Sequence, residues 1–200
     1  MSARSLSSQL RPALVGLLAL SALTGILYPL ALTGLARLLF PRQAEGSLLR
    51  AGGQVLGSEL IGQATRDPAL FWTRPSATLG ADGAPLPYNA LASGASNQGP
   101  SNPDLARAVQ ARLEALKAAD PGNQEPVPVD LVTASASGLD PHISPAAALY
   151  QAGRVARARH LPEPRVRALV AAHIEGRQLG FLGEPRVNVL KLNLALAELR

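Results

Sequence analysis

Cysteine is absent from this chain, which excludes disulfides, thiol nucleophiles and cysteine-ligated metal centres together. Aromatic residues are scarce as well. One Trp, three Tyr and three Phe make up 4% of the 200 residues, too few for the stacking platforms of single-strand nucleic-acid binders. The three histidines, His142, His160 and His173, stand apart from one another and from any carboxylate at helical ligand spacing, so the sequence assembles no metal site. Three catalytic signatures are also missing: the G-x-x-x-x-G-K-[ST] phosphate loop, the Asp-Lys-Thr-Gly phosphorylation sequence of P-type ATPases, and the G-x-S-x-G nucleophile elbow. Without the first two the chain is not a self-sufficient ATPase of either kind.

Charge is absent from one long stretch. From Pro12 to Ala36 no residue is charged, and Leu, Ala, Val, Ile and Gly supply most positions. About 20 such residues cross the hydrocarbon core of a bilayer as a helix. The predicted organisation is therefore a short tail over 1–11, a transmembrane anchor over 12–36 and a soluble domain over 37–200. A cleaved secretory signal is the competing reading, because Arg4 and Arg11 make a basic start and Gly34-Leu35-Ala36 resembles a small-residue cleavage site. Such signals usually have an apolar region of only about 7–15 residues. Arg37, Leu38, Leu39, Phe40 and Arg42 also form an interfacial collar that suits a retained span and lipid headgroups.

The formal net charge is +5, and Arg4, Arg11, Arg37 and Arg42 supply four of those units. The remainder is nearly neutral, without a phosphate-tracking stripe, so the charge speaks for membrane lipid rather than nucleic acid as a partner. Arginines on both sides of the span leave the positive-inside count nearly tied, and charge alone does not orient it. Within the span Pro29 removes a helical hydrogen bond and favours a kink, while Ser21, Thr24 and Gly25 make a flat, slightly polar face on which a neighbouring helix could pack.

After the collar, Leu48-Leu49, Gly52-Gly53 and Val55-Leu56 read as a hairpin, with Glu59 to Gln63 closing a short strand. Asp67 to Asn102 is long, irregular and rich in Pro, Gly, Ser and Asn, yet it holds Phe71, Trp72 and Tyr88, so this loop is expected to pack on something. Asn102-Pro103-Asp104 opens a helix that carries Leu105, Val109, Leu113 and Leu116 on one stripe and stops at Asp120-Pro121-Gly122. Val127 to Thr133 reads as an edge strand. Ser144-Pro145 caps a helix running to about Arg159. Pro162 to Pro164 opens another, with Val166, Leu169, Val170 and Ile174 inward and Gly176 as its stop, and a last helix starts near Asn188 with Val189, Leu192, Leu196 and Leu199 inward. The predicted fold is an α+β soluble domain following a single N-terminal transmembrane helix.

Asp130, Ser135, Ser137, Asp140 and His142 lie close in sequence, so a membrane-tethered envelope serine hydrolase using Ser137 and His142 is one functional reading. The bland alternative is that Ser and Asp in such a loop bond their own backbone. Arg154, Arg157, Arg159, Arg165 and Arg167 form a basic segment that reads either as a solvated helix face or as an anion or acidic-partner surface. The loops at Ser93 to Asn97 and Ser135 to Gly138 have the composition of backbone anion nests and equally of ordinary turns.

Taken in order, a set of short segments resembles the KdpC family, the small subunits of bacterial Kdp potassium-transporting ATPases, over nearly the whole chain. They are Thr24-Gly25 with Tyr28-Pro29, Gly57-Ser58, Leu60-Ile61-Gly62-Gln63, Arg74-Pro75-Ser76-Ala77, Tyr88-Asn89, and Ser93-Gly94 with Ser96-Asn97. A long block follows from Val127 to Asp140, then Ile143-Ser144-Pro145, Gln151, Arg154-Val155-Ala156 and Val187-Asn188-Val189-Leu190 with Leu192-Asn193. Ala95 and Thr65 depart from the family pattern, where a second Gly and a Phe are usual.

The resemblance implies a non-catalytic accessory subunit whose partners are the potassium-translocating and ATP-hydrolysing subunits. It implies support of assembly and a catalytic-chaperone role that promotes ATP binding by the catalytic subunit. No tightly bound cofactor is implied, although Gln151, with Ser135, Ser137 and Gly138, becomes a candidate contact for ATP. Ser21, Thr24, Gly25, Pro29, Arg74, Tyr88 and Asn97 become candidate partner contacts. The implied setting is the bacterial inner membrane, N-terminus cytoplasmic and soluble domain outside, which sets direct contact with cytoplasmic ATP against topology.

Overall fold

The structure, a computed structural model, describes residues 3–199, and side chains from Ser8 onward. Met1, Ser2 and Arg200 lie outside the described residues, as does the side chain of Arg4. The chain forms two compact units, 1–48 and 49–200.

The first unit is one long helix made of α1 (Ala3–Ala22), a π-helical turn (Leu23–Leu27) and α2 (Tyr28–Leu39), followed by a single turn, α3 (Pro41–Ala44). Ser8–Leu39, 32 residues, is long and apolar enough to cross a membrane. At about 1.5 Å per residue it reaches roughly 48 Å, more than the ~30 Å hydrocarbon core. The surplus leaves room for tilt and for headgroup-level turns at Arg11 and Arg37. Its leucines point outward along the length, as a lipid-facing helix requires. The π turn has a local cause. Pro29 has no N–H for the Gly25 carbonyl and its ring crowds that group. The turn before it widens, Tyr28 N–H reaches back to the Leu23 carbonyl, and Thr24 Oγ1 donates to the Leu20 carbonyl at 2.8 Å. The disturbance expected at Pro29 thus takes the form of a π bulge one turn earlier.

In the second unit, β1 (Leu48–Ala51) and β2 (Gln54–Ser58) form the expected hairpin, and Gly52 and Gly53 turn it with φ of 56° and 80°. The body is built around α5 (Pro145–Arg159). Its small residues Ala147, Ala148, Ala152 and Ala156 are buried and let neighbouring elements approach closely. Packed around it are α4 (Pro103–Ala119) through Leu116, α6 (Glu163–Ala172) through Val166 and Val170, and α7 (Val189–Glu198) through Leu192 and Leu196. A small antiparallel sheet, ordered β3 (His142–Ile143), β5 (Arg186–Asn188), β4 (Ile174–Glu175), adds Ile143 and Val187 to the core. Asn102, Ser144 and Asn188 cap α4, α5 and α7 with side-chain acceptors, so those three starts fall where the cap residues placed them.

Glu59 to Gln63 does not close a strand, because β2 ends at Ser58 and a turn follows. Two further expectations fail. Val127 to Thr133 is not a strand but a loop with one 3-10 turn, Val129–Leu131. Leu131 and Val132 are both buried; adjacent residues of a strand face opposite ways, whereas a helical turn can aim both at one core. Asp130 is drawn off as well, its carboxylate accepting from Ser144 N–H at 2.7 Å and Ser144 Oγ at 3.1 Å. The last is at the end of α6, which stops at Ala172 rather than Gly176. Ile174 is an exposed residue of β4 paired with Val187, not an inward helix position.

Candidate functional site

The long loop opens with a strap, residues 67–72, that has no strand beside it and, apart from its own Leu70 N–H to Asp67 carbonyl bond, is held by side chains. Six successive carbonyls accept hydrogen bonds: Asp67 from Trp72 Nε1, Pro68 from Arg154, Ala69 from Arg159, Leu70 from Arg154, Phe71 from Asn193 and Trp72 from Gln151. Two carboxamides act as paired clamps. Asn193 accepts from Phe71 N–H at 2.8 Å and donates to its carbonyl at 3.0 Å; Gln151 does the same for Trp72 at 2.8 and 3.1 Å. Each replaces one rung of a β ladder, and Phe71 and Trp72 are thereby fixed in the core.

Gln151 is 1% exposed, and both ends of its amide are fully used. Its oxygen accepts from Trp72 N–H and from Arg154 at 2.7 Å, while its nitrogen donates to Trp72 and to Ala147 carbonyls. Arg154 is 5% exposed, stacks over the Trp72 ring at 4.5 Å, and has its pKa lowered by burial to about 10. The basic segment therefore does not act as one face: Arg157 and Arg165 are exposed, whereas Arg154 is buried. Arg154 and Arg159 turn inward to backbone carbonyls, Arg157 pairs with Asp120, and Arg167 pairs with Glu163.

Beyond the strap the loops interlock. Ser76 Oγ donates to the Gly138 carbonyl at 2.7 Å, Tyr88 N–H donates to Ser76 Oγ, and Tyr88 OH donates to the Arg74 carbonyl at 2.7 Å. Gly94 N–H and Ser93 Oγ both donate to the Ser137 carbonyl, and Gly62 N–H donates to the Leu139 carbonyl. Two glycines make the packing possible. A Cβ on Gly138, whose φ is +67°, would lie 2.5 Å from Thr78 Cγ2 and 2.7 Å from the Gly94 oxygen. One on Gly62 would meet the Tyr88 ring at 2.3 Å. Tyr88 itself sits at φ 62°, a left-handed conformation held by its three anchored contacts. Asn97 is exposed at φ 52° on the rim of the same loop.

At the centre of this surface Arg74 Nη1 lies 3.1 Å from Asp140 Oδ2, and the other Asp140 oxygen accepts from His142 N–H at 3.0 Å with His142 Nδ1 at 3.3 Å. Burial works to raise the Asp140 pKa, but the His142 hydrogen bonds and the Arg74 charge outweigh it and hold the carboxyl below its ordinary value. Arg74 Nε is buried without a hydrogen-bond partner. An open cavity of about 690 Å³ adjoins the trio, walled also by Asp130, Glu184 and Arg186.

The candidate residues are thus divided. Arg74, Tyr88, Ser135, Ser137 and Gly138 come together, with Asn97 on the adjoining loop and Gln151 beneath, clamping the strap. Ser135 Oγ is buried and accepts from Gly138 N–H, and Ser137 Oγ accepts from Leu139 N–H. Of the would-be nest amides, those of Gly94 and Gly138 are spent on the loops' own bonds. Ser137 has no hydrogen bond to His142 among the described residues, so the hydrolase reading finds its base paired with Asp140 and its nucleophile in a turn. Ser21, Thr24, Gly25 and Pro29 all lie exposed on the apolar helix. Among the described residues, no group of three or more His, Asp or Glu is placed to hold a metal. Asn193, Arg159 and Asp140 take structural roles not assigned from the sequence: Asn193 and Arg159 hold the strap, and Asp140 pairs with Arg74. The signal available for Asn193 was a lone Asn in an apolar helical stripe.

The described chain is thus an apolar helix long enough to span a membrane, followed by an α+β domain whose polar loops interlock into one surface. The chain belongs to the KdpC family: the family model described as "K+-transporting ATPase, c chain" matches residues 10–198. The potassium-transporting ATPase KdpC subunit of Methylococcus capsulatus is 64% identical over 190 residues, covering 95% of this chain and 97% of that one. That of Variovorax paradoxus is 65% identical over 191 residues, covering 96% of each.

Proposed function

We propose that the chain is the accessory c subunit of a potassium-transporting ATPase, held in a bacterial cell membrane by its N-terminal helix with the N-terminus cytoplasmic and the α+β domain outside. The domain docks on the potassium-translocating subunit through the surface centred on Arg74 and Asp140, and the helix packs through Ser21, Thr24, Gly25 and Pro29. Docking stabilises the assembled complex by mass action and favours the arrangement in which the catalytic subunit binds ATP. On this reading the chaperone effect travels through the complex and not through nucleotide held by Gln151, Ser135, Ser137 or Gly138.

One observation carries the proposal. Segments of the family resemblance that lie far apart in the chain, around Arg74, Tyr88, Ser93 and Gly138, meet in one surface whose joining hydrogen bonds fix its shape. The orphaned Arg74 Nε adds a donor that is costly to leave unpaired in an isolated chain.

The test is co-expression with the partner subunits. Gly25→Leu introduces bulk where a Cβ meets nothing within 4 Å, so it leaves this chain's own packing intact and challenges only a neighbour. Arg74→Ala challenges the loop surface, with a melting curve of the purified chain as control. Both are expected to lower copurification and potassium-stimulated ATPase activity. Unchanged yield and activity in both variants would overturn the proposal.

A further inference from the structure

A second cavity lies beside Trp72, at the end of the strap, and shares Ser76 and Tyr88 with the interlocked loops. It holds about 230 Å³ and is lined among others by Arg66, Arg112, Trp72, Pro75, Pro87 and Tyr88. Neither Arg66 nor Arg112 makes an ion pair among the described residues. Arg112 gives one N–H to the Val132 carbonyl at 2.7 Å, and the Arg66 guanidinium lies 5.6 Å from the centroid of the Trp72 ring. The other arginines with described contacts are spent: Arg74, Arg107, Arg157, Arg167, Arg177 and Arg186 face carboxylates.

Two guanidiniums at one cavity repel each other, and this repulsion together with burial lowers the Arg112 pKa. A guanidinium presents five N–H groups in a planar fork, so most of this donor capacity is unspent. The hydroxyls at the cavity are not available in the same way. Thr73 Oγ1 donates to the Gln63 carbonyl, Ser76 Oγ to the Gly138 carbonyl, and Tyr88 OH to the Arg74 carbonyl. What the cavity offers is two positive forks against a wall of proline, indole and phenol rings.

We propose that this cavity is an oxyanion site that takes one phosphate or carboxylate group between Arg66 and Arg112. The anion has two sources of the same chemistry: a free solute, or the phosphodiester headgroup of an anionic lipid, which a membrane-anchored domain meets at high local concentration.

Trp72 is the only tryptophan in the chain, so intrinsic fluorescence of the full-length protein in detergent reports on this cavity directly. Inorganic phosphate is titrated first, then nanodiscs of phosphatidylglycerol and, separately, of phosphatidylcholine. A saturable change in emission is expected with phosphate or with phosphatidylglycerol. The responding arm identifies the source. It should weaken about tenfold in Arg66→Gln and again in Arg112→Gln, the loss of one charge-assisted contact each, and fade as sodium chloride is raised. Arg66 is exposed and its replacement leaves the core untouched, so that variant stays informative even if Arg112→Gln disturbs the Val132 contact. No saturable response in either anionic arm, a response only to phosphatidylcholine, or a response unchanged in Arg66→Gln overturns the site.

Discussion

Gln151→Leu separates a structural from a ligand-binding role for this glutamine. Leucine matches its size but carries no amide, so Trp72 loses the partner of its buried N–H and the donor to its carbonyl, and Arg154 loses one of three acceptors. A buried main-chain group left unpaired costs about 1–3 kcal/mol. Two such groups, less about 1 kcal/mol returned by the added apolar surface, give a net loss of roughly 1–5 kcal/mol. For a chain of this size each kcal/mol lowers Tm by about 2–4 °C, so the expected fall is on the order of 10 °C. The assay is thermal unfolding of the full chain in detergent without nucleotide, followed by the KM for ATP of the assembled complex at a temperature below both transitions. Indole emission should shift to the red in the variant as Trp72 loosens. A wild-type Tm combined with a raised KM for ATP would refute the clamp and return Gln151 to the nucleotide.

Other expectations follow from the same geometry. Asp140 has a folded pKa below its ordinary value, so its contribution is present above about pH 4 and is lost as pH falls through the folded value. Asp140→Asn should therefore cost about 1–2 kcal/mol at neutral pH, and its melting curve should converge with wild type in acid. Gly138→Ala combines a left-handed φ with contacts to Thr78 Cγ2 and the Gly94 oxygen, for a loss of about 2–4 kcal/mol. Thr78→Ser in that background removes only the methyl contact and should restore part of the stability, as denaturant midpoints would show. Leu91 is 97% exposed in a chain without cysteine, so Leu91→Cys gives a single labelling site. In intact cells it should react with a membrane-impermeant maleimide. Labelling only after the cells are opened would reverse the proposed orientation.

The elements legible in the sequence were those whose signals are local. The apolar run from Pro12 to Ala36 announced the spanning helix, and Asn102, Ser144 and Asn188 marked three helix starts by their side chains alone. The sheet was not legible, because β3 and β4 have two residues each and β5 three, too short for any alternation to show. Val127 to Thr133 misled for the opposite reason: its β-branched residues suit a strand, but core contacts of Leu131 and Val132 and the Asp130 bond to Ser144 won over local preference. Of the surface, the resemblance named most of the participating segments. That they meet was invisible, since the bonds joining Ser76 to Gly138 and Arg74 to Asp140 cross 62 and 66 positions.

The strap explains why an irregular segment can be as well determined as a strand in this fold. A strand draws its bonds from a neighbouring backbone, which any sequence supplies; residues 67–72 draw theirs from Gln151, Arg154, Arg159 and Asn193, which only particular residues supply. Their identity is fixed by the fold before any ligand is considered. A glutamine in an alanine-rich helix therefore carries no presumption of nucleotide contact, and the same holds for Arg154 within a basic run. Arg66 and Arg112 differ in kind, because neither meets a carboxylate among the described residues and the single Arg112 bond to the Val132 carbonyl leaves most of its donors unspent. Sorting arginines by what they already bond, rather than by how densely they cluster in sequence, moves the candidate for anion recognition from residues 154–167 to the cavity beside Trp72.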